Sequence, residues 1–260
     1  MELAVVGVGN MGGAVLSGVL DAGLVAPDQV GVVDLDPKRR DTFARRGCQA
    51  FAELRSLSGA KTTILAVKPW LVQEVATALG PTDGLVVSVM AGVKASVLHE
   101  SFGGGGRVIR TMPNTPCLLR QGVTGVAAGP GATRHDLDAV ASMFRELGAV
   151  VEVDESLLDA VTAVSGSGPA WFFRFVEALE SAAIELGLSP DDAATLVRAT
   201  AAGAGQMMLG GDSPSVLRER VTTPNGTTAA GLEVFDKVID SMAKEVLTAA
   251  RDRGAELGRQ

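Results

Sequence analysis

Residues 3–12 read Leu3-Ala4-Val5-Val6-Gly7-Val8-Gly9-Asn10-Met11-Gly12. A β-type run ends at Gly7, and a helical segment is expected from residue 10 to residue 22. Gly7, Gly9 and Gly12 therefore form G-x-G-x-x-G between a strand and a helix. That arrangement binds the pyrophosphate of a dinucleotide, because the turn allows close approach and the helix N-terminus supplies positive potential. We predict a dinucleotide site at this turn.

Asp34 is expected at the end of the second strand, 22 residues after Gly12. A carboxylate at that position accepts hydrogen bonds from the ribose hydroxyls of NADH and repels the 2′-phosphate of NADPH. Three cations, Lys38, Arg39 and Arg40, follow at the start of the next helix and could hold that phosphate. The sequence therefore favours NADH and leaves NADPH open.

Strand and helix patterns alternate through the first part of the chain. Strands are expected at residues 2–6, 29–34, 62–67, 85–90, 107–111, 122–128 and 150–153, and helices at residues 10–22, 37–46 and 134–147. The alternation predicts an α/β fold with a Rossmann-type, doubly wound parallel sheet. We expect residues 1–154 to form this dinucleotide-binding domain.

The rest of the chain, residues 155–260, has a helical pattern. Helices are expected at residues 157–164, 170–187, 190–209, 214–221 and 228–257. The segment 169–186 is apolar around most of its circumference, and residues 199–205 are mostly alanine and glycine, which permit close packing. We predict an all-helical domain that buries these surfaces between subunits; burial within a monomer is the alternative.

Composition and charge exclude several classes of protein. The net charge is −7 and the pI is near 5.0, so the chain would repel a phosphate backbone and nucleic-acid binding is not expected. Cys48, Cys117, His99 and His135 lack the spacing of a zinc set or a disulfide framework. We expect no signal segment, because the sequence opens with a strand pattern, and no apolar run reaches about 18 residues. We expect a cytoplasmic protein with no membrane or metal site.

Two predicted strands end in loops at the carboxyl edge of the sheet. Ala66-Val67-Lys68-Pro69 follows one strand and Ala91-Gly92 follows the other. Ligands of doubly wound sheets bind at that edge, so we expect both loops to flank the nicotinamide. Lys68 could be a proton donor or a solvated charge. Asn114, in a proline-bounded loop, could contact the nicotinamide or the substrate, or be an ordinary turn residue.

Two segments rich in serine, threonine and glycine are expected to open helices. They are Ser165-Gly166-Ser167-Gly168-Pro169 and Thr223-Pro224-Asn225-Gly226-Thr227-Thr228. Free amides at a helix start can bind an anion. Each segment alone is an ordinary helix cap. Two of them in a cofactor-binding chain suggest recognition of a small carboxylate.

Together these motifs closely resemble the pyrroline-5-carboxylate reductase family. The resemblance spans essentially the whole chain and is carried by residues 7–12, 66–69, 88–92, 109–116, 159–170 and 221–232. It implies an N-terminal dinucleotide domain and a C-terminal helical dimerisation domain, with homodimers often assembled into a decamer. The implied reaction is hydride transfer from NADPH or NADH to the imine carbon of 1-pyrroline-5-carboxylate, giving L-proline.

The motifs and the resemblance together give a set of site residues. Those expected at the cofactor are Gly7, Gly9, Asn10, Met11, Gly12, Asp34, Ala66, Val67, Lys68, Pro69, Ala91, Gly92 and Asn114. Those expected at the imino-acid substrate are Ser165, Gly166, Gly226, Thr227 and Thr228. By family likeness, the Thr162 hydroxyl helps to protonate the imine nitrogen. A protonated imine is already electrophilic, so the reaction needs neither zinc nor histidine.

Two residues depart from the family pattern. Trp171 stands where the family usually has Tyr, and Asn225 stands where it usually has Gly. Asn tolerates a left-handed backbone better than other non-glycine residues, so we expect the loop to survive.

Two other functions fit the sequence less well. A β-hydroxyacid dehydrogenase needs a lysine near the reacting hydroxyl, and the helical part offers only Lys237 and Lys244. A non-enzymatic NAD(P)-sensing module would leave the two helix starts without a purpose.

Overall fold

The computed structural model describes residues 1–258, and an eight-stranded sheet forms its N-terminal part. The strand order is β3-β2-β1-β4-β5-β6-β7-β8. The strands are β1 (Leu3–Val6), β2 (Val30–Val33), β3 (Gln49–Phe51), β4 (Thr62–Leu65), β5 (Leu85–Ser88), β6 (Arg107–Pro113), β7 (Gly122–Ala128) and β8 (Gly148–Glu152). All neighbouring strands run parallel except β6 and β7. The predicted Rossmann-type sheet is confirmed.

Helices cover both faces of this sheet. They are α1 (Asn10–Asp21), α2 (Pro37–Ala44), α3 (Val72–Leu79), α4 (Ala95–Ser101) and α5 (Arg134–Arg145). Val5 of β1 belongs to a core shared with α1 and α5, whereas its neighbour Val6 belongs to a core shared with α3 and α4. Successive strand residues point to opposite faces, so the two cores lie on opposite sides of the sheet. The doubly wound arrangement follows.

The crevice for a ligand lies beside β1. This strand pairs with β2 on one side and with β4 on the other, so the order of strands along the chain reverses there. In open α/β sheets the connections diverge at such a point and leave a crevice at the carboxyl ends of the strands. The glycine turn follows β1 directly and therefore opens into this crevice.

Three short elements have no counterpart among the sequence predictions. They are β3, α3 and α4, which have three, eight and seven residues. β3 is an edge strand with two exposed residues, so it shows no apolar run. The two helices are too short for a helical period to repeat clearly.

The connection from β6 to β7 also departs from a parallel crossover. Thr115–Leu119 forms a 3₁₀ turn, and Arg120 then adopts a left-handed φ of 56°. The chain therefore reverses, and β7 pairs antiparallel with β6. Parallel neighbours need a connection of a dozen or more residues, which this short segment cannot supply.

The chain folds as two compact units. One comprises Met1–Ser167 together with the C-terminal residues from Ala250, and the other is Gly168–Ala249. The first unit therefore contains the whole sheet and also the end of α11 (Ile239–Leu257). That end packs closely, because a Cβ on Gly258 would lie 2.7 Å from the carbonyl oxygen of Gly92. The division of function between residues 1–154 and 155–260 stays a prediction.

The second unit is helical. It contains α7 (Gly168–Glu185), α8 (Pro190–Met208), α9 (Pro214–Arg220), α10 (Thr227–Phe235) and the first part of α11. The single helix expected at residues 228–257 is wrong, because a turn at residues 236–238 separates α10 from α11. Neither glycine nor proline marks this break, so the helical pattern runs through it without a visible stop.

An apolar surface of the second unit is exposed in the single chain. Phe172 and Phe173 of α7 are 67% and 65% exposed. Phe175 of the same helix packs on Phe235 of α10, with ring centroids 5.9 Å apart. Large apolar residues rarely stay in water in such a group, so this face is suited to contact with another subunit. No helix in residues 1–258 is both long and apolar enough to cross a membrane.

Candidate cofactor and active site

The turn after β1 has a geometry that requires glycine. Gly7 has a φ of +89°, and a Cβ there would lie 2.6 Å from the carbonyl oxygen of Ala66. A Cβ on Gly12 would lie 2.0 Å from the carbonyl oxygen of Gly7. Both contacts are shorter than any side chain tolerates, so these glycines let β1, β4 and α1 come together. This is the packing expected of the dinucleotide fingerprint.

Gly9 faces the ligand side of the turn. An added Cβ would meet only the guanidinium of Arg39, 3.2 Å from its Nη1. Gly9 is the N-cap of α1, and no side chain caps that helix or places an acid in its first turn. The first amides of α1 therefore remain available to an anion. This arrangement fits the pyrophosphate of NADPH or NADH.

A cavity of about 1040 Å³ opens beside this turn. Among the predicted cofactor residues its walls contain Gly7, Gly9, Asn10, Met11, Asp34, Ala66, Val67 and Lys68. Gly12, Pro69, Ala91, Gly92 and Asn114 lie outside its walls. The structure thus brings the glycine turn, the end of β2 and the end of β4 to one cavity.

Several apolar residues of this cavity were not singled out from the sequence. They are Leu35, Leu54, Leu71 and Val75. Leu35 follows Asp34 directly and is 93% exposed. Its position after the acidic residue of β2 was a usable signal. The others come from α3 and the loops, whose positions depend on the missed elements.

Asp34 is bound to the glycine turn itself. Its Oδ2 accepts a hydrogen bond from the Val8 amide at 2.9 Å, and its Oδ1 accepts one from the Asp36 amide at 2.9 Å. The side chain is 10% exposed, with Arg39 Nη1 3.8 Å from Oδ2. One lone pair on each oxygen is therefore used within the protein, and each oxygen keeps another with which it can accept a hydrogen bond.

The three cations after Asp34 have different surroundings. Arg40 donates to the carbonyl oxygen of Asp34, so its guanidinium is held on the backbone. Arg39 is half exposed, lines the cavity and stands against Gly9. Lys38 is exposed and lies outside the cavity walls. Arg39 is therefore the cation of this group that faces the ligand side.

Thr162 lies in a π-turn. The helix α6 (Leu158–Val161) continues through a π-helical segment, Thr162–Gly166, and the Ser167 amide donates to the carbonyl oxygen of Thr162 at 2.8 Å. The Thr162 hydroxyl donates to the carbonyl oxygen of Leu158 at 2.8 Å. Single π-turns are frequent at functional sites. The hydroxyl hydrogen is engaged, and the oxygen lone pairs are left as acceptors.

The Ser165 to Pro169 segment is not the free helix start expected from its composition. Residues 165 and 166 lie inside the π-turn, and the Ser165 hydroxyl donates to the carbonyl oxygen of Val161 at 2.9 Å. The preceding residues are already helical, so this segment has no exposed first turn. Gly166 is packed tightly, because a Cβ there would lie 2.5 Å from the Met112 side chain.

The start of α10 is closer to the expectation. Asn225 adopts a left-handed φ of 60°, as expected for Asn in place of Gly. Gly226 is the N-cap and no side chain caps the helix. The Gly226 amide already donates to the carbonyl oxygen of Thr223 at 3.0 Å. The amides of Thr227 and Thr228 belong to the first turn, where no helical partner exists.

Asn114 has a structural contact. It is buried, and its side-chain oxygen accepts from the Val123 amide at 3.0 Å. That bond joins the end of β6 to β7 across the reversal described above. Nearby, burial raises the pKa of the Cys117 thiol, and burial likewise raises the pKa of the Cys48 thiol. Neither thiol is suited to act as a nucleophile.

The fold and the site define an NAD(P)-dependent oxidoreductase with a Rossmann domain and a helical dimerisation domain. Residues 155–257 match the family described as pyrroline-5-carboxylate reductase dimerisation, and residues 2–92 match NADP oxidoreductase, coenzyme F420-dependent. The chain belongs to the pyrroline-5-carboxylate reductase family. Because it carries the dimerisation domain, it forms a homo-oligomer.

Relatives that match this chain over nearly their whole length are pyrroline-5-carboxylate reductases. The chain is 35% identical to pyrroline-5-carboxylate reductase of Methanosarcina acetivorans, over 100% of this chain and 98% of the relative. It is 36% identical to that of Pseudomonas aeruginosa, over 100% and 97%. A solved structure from Coxiella burnetii matches with a TM-score of 0.91 at 32% identity, covering 100% and 99% of the two chains. A Plasmodium falciparum structure with NADP bound matches with a TM-score of 0.84 at 26% identity, covering 99% and 98%.

Proposed function

We propose that the protein reduces 1-pyrroline-5-carboxylate to L-proline with NADPH or NADH, the last step of proline biosynthesis, in the cytoplasm. The observation that carries this proposal is the glycine turn and its cavity in a chain that matches this family from end to end. When bound, the reduced nicotinamide supplies the hydride. The chain's own residues hold the two reactants and exclude other geometries.

We propose distinct roles for the cofactor residues. Gly7, Gly9 and Gly12, with Asn10 and Met11, hold the pyrophosphate at the start of α1. Residues 66–69 and 91–92, with Asn114, form the nicotinamide side. This division follows the rule that ligands lie at the carboxyl ends of the strands. The buried hydrogen bond between Asn114 and β7 supports an indirect role for Asn114, in which it fixes the conformation of the loop after β6.

Cofactor choice is proposed to depend on Asp34 and Arg39 together. The free lone pairs of Asp34 suit ribose hydroxyls, which favours NADH. The half-exposed guanidinium of Arg39 lies 3.8 Å from that carboxylate and can turn toward a 2′-phosphate. We therefore propose that both cofactors are used, with Leu35 giving an apolar surface beside the adenosine.

Thr162 is proposed to hold the imine nitrogen. Family likeness leads us to expect that its hydroxyl helps to protonate the imine nitrogen. The donation of this hydroxyl to the carbonyl oxygen of Leu158 instead supports a role in which the oxygen accepts from the imine N–H. A protonated imine carries an N–H, which this oxygen can orient. Hydride addition to the imine carbon then moves the C=N π electrons to nitrogen and gives the secondary amine. The substrate thus brings its own proton, and Thr162 fixes the geometry.

The substrate carboxylate is proposed to lie on the start of α10. The amides of Thr227 and Thr228 have no helical acceptor, and the helix N-terminus favours negative charge. Gly226 contributes through its extended backbone, since its amide is used within the turn. Ser165 and Gly166 are proposed to contact the ring, because they share the π-turn with Thr162.

We propose that the assembly is a homodimer built on the helical part, residues 155–260, and that five such dimers can form a decamer. The apolar face of α7 supports this, because it is uncovered in one chain. Residues 1–154 are proposed to bind the dinucleotide.

A spectrophotometric assay tests the proposed function. Oxidation of NADH and of NADPH is followed by the loss of the absorbance of the reduced nicotinamide. Turnover is expected with 1-pyrroline-5-carboxylate. A β-hydroxyacid as the only productive substrate, or cofactor binding without any turnover, would overturn the proposal.

A further inference from the structure

Glu155 joins three segments of the first unit through one carboxylate oxygen. Its Oε1 accepts from the Ala95 amide at 2.7 Å and from Arg110 Nη1 at 2.9 Å. Ala95 is the first residue of α4, Arg110 belongs to β6, and Glu155 itself begins the turn before α6. These segments are far apart in the chain, so Glu155 forms a long-range tertiary contact and not a local turn.

The guanidinium in this contact is removed from water, whereas the Glu155 side chain is 33% exposed. Arg110 is 7% exposed, and its Nε has no hydrogen-bond partner within residues 1–258. Glu155 is the only residue that forms a salt bridge with Arg110 in the described part of the chain. A buried guanidinium without a counter-charge is strongly unfavourable, so the pair is expected to stay closed. The start of α4 has no other side-chain cap.

Each of the three segments joined by Glu155 leads to the proposed site. The loop before α4 begins at Val89, which lines the cavity, and includes Ala91 and Gly92. The segment that begins at Glu155 reaches Thr162 about two helical turns later. The side chain of Thr111, next to Arg110, donates to the carbonyl oxygen of Ser88 at 3.0 Å. β6 therefore also holds the end of β5, from which the loop departs.

We propose that Glu155 is a positioning residue that sets the distance between the nicotinamide-side loop, residues 89–94, and Thr162. The proposal rests on the proposed function for the roles of these two parts. Glu155 touches neither reactant; it acts through the Ala95 amide and Arg110. A shift of about 1 Å between reacting groups can lower a rate by about 100-fold. A contact that fixes the distance between the loop and Thr162 therefore controls the rate of hydride transfer.

The same strand offers a matched control. Arg107, at the start of β6, pairs with Asp136 at 2.6 Å, and the Asp136 side chain is 5% exposed. Asp136 also takes part in the capping box of α5 with Thr133. This pair thus resembles Arg110 and Glu155 in chemistry, with the carboxylate instead of the guanidinium as the more buried partner. The helix that carries Asp136 contains no residue assigned to the site. Asp136→Ala measures the cost of losing such a pair without moving the site.

The experiment compares Glu155→Ala, Glu155→Gln and Asp136→Ala with the unmodified full-length protein. The first readout is amide hydrogen exchange without cofactor. The second is kcat and KM for both reactants, corrected for the folded fraction. The third is the primary isotope effect with the reduced nicotinamide deuterated at the transferred position.

Glu155→Ala is expected to speed exchange at residues 89–95 and to lower kcat by at least about tenfold, with the cofactor KM changed by less than about threefold. The isotope effect should rise, because hydride transfer becomes slower. Glu155→Gln keeps an oxygen that can accept from Ala95 but removes the counter-charge of Arg110, so its kcat is expected to lie between those of Glu155→Ala and the unmodified protein. Asp136→Ala should lower the melting temperature while kcat and the isotope effect stay unchanged.

Two results would overturn the proposal. They are unchanged exchange at residues 89–95 in Glu155→Ala, and an equal kcat and isotope effect in Glu155→Ala and Asp136→Ala. If Glu155→Ala does not fold, Glu155→Asp replaces it, because the shorter side chain withdraws the oxygen from Ala95 and keeps the charge. If the unmodified protein does not reduce the imine, the proposed function fails, and the exchange result still decides whether Glu155 holds the loop.

Discussion

The carboxylate of Asp34 accepts a hydrogen bond from the backbone amide of Val8, 2.9 Å away, in the middle of the glycine turn. The residue expected to select the cofactor is therefore also a support for the loop that binds it. Substitutions at this position should change two properties at once, and these can be separated by choosing the replacement.

Asp34→Ser is expected to shift the ratio of kcat/KM toward NADPH by about tenfold, or about 1.4 kcal/mol, because the repulsion of a 2′-phosphate is removed. It should also raise KM for both cofactors, since Val8 loses its acceptor. Asp34→Asn keeps an acceptor and should show the shift with a smaller rise in KM. Steady-state kinetics with both cofactors measure this. Asp41→Asn, an exposed charge change on α2, is the control, and an unmoved ratio in both Asp34 variants would contradict the prediction.

Arg39→Ala should weaken NADPH more than NADH. Its guanidinium stands beside Gly9 and Asp34 on the ligand side of the turn. Loss of one charged contact to a phosphate should raise the Kd for NADPH by about tenfold. Titration of each reduced cofactor by fluorescence gives the two Kd values. Arg45→Ala, a more distant exposed cation after α2, is the matched variant. Equal losses for NADH and NADPH would mean that Arg39 contacts only the shared pyrophosphate.

Thr162→Val is expected to lower kcat by about tenfold to 100-fold, with the cofactor Kd unchanged, because the acceptor for the imine N–H is removed. Thr77→Val is the control, since Thr77 makes the same kind of bond, donating to the carbonyl oxygen of Gln73 at 2.7 Å from an exposed position of α3. Single-turnover kinetics isolate the hydride step. A Thr162 variant that turns over as fast as the Thr77 variant would remove Thr162 from the site.

Thr228→Ala should raise KM for the imino acid by about tenfold and leave KM for the cofactor nearly constant. The hydroxyl adds a donor to the first turn of α10, where the substrate carboxylate is proposed to lie. Ser241→Ala, near the start of α11, is the control because its hydroxyl also bonds to the backbone, donating to Val238. If both KM values stayed at their original level, the carboxylate must bind elsewhere.

The double change Phe172→Ser and Phe173→Ser is expected to shift the protein toward smaller species, because both side chains are largely exposed in the single chain and belong to the apolar face of α7. Light scattering at micromolar concentration gives the mass. Arg174→Ser, an exposed neighbour on the same helix, should leave the mass unchanged. An unmodified protein that is strictly monomeric would contradict the assembly outright.

The dinucleotide turn was predictable because its chemistry is local. Gly7 and Gly12 are required by contacts within a few residues and with the next parallel strand, and their spacing is visible in the sequence. The alternation of strands and helices likewise made the doubly wound sheet predictable. Asn225 could be assigned a left-handed backbone, which it adopts, because few other residues accept that conformation.

The remaining features depend on contacts between distant segments. The reversal before β7 depends on a 3₁₀ turn and on the left-handed backbone of Arg120. The residue types of this segment do not predict the reversal. The π-turn at Thr162 replaces an expected helix start because the preceding residues are already helical. Glu155 looks like any surface acid in the sequence, and only the fold brings it to Ala95 and Arg110. Such pairings leave no periodic or compositional signal.

The return of α11 to the first unit has a consequence for biosynthesis. That unit is assembled from two stretches of chain, one ending at Ser167 and the other starting at Ala250. Chains emerge from the ribosome N-terminus first, and domains usually fold as they appear. Here the sheet can form early, but the contact of Gly258 with Gly92 cannot form until residues 168–249 have been synthesised. The nicotinamide-side loop therefore gains this last contact only after the entire helical unit has been translated.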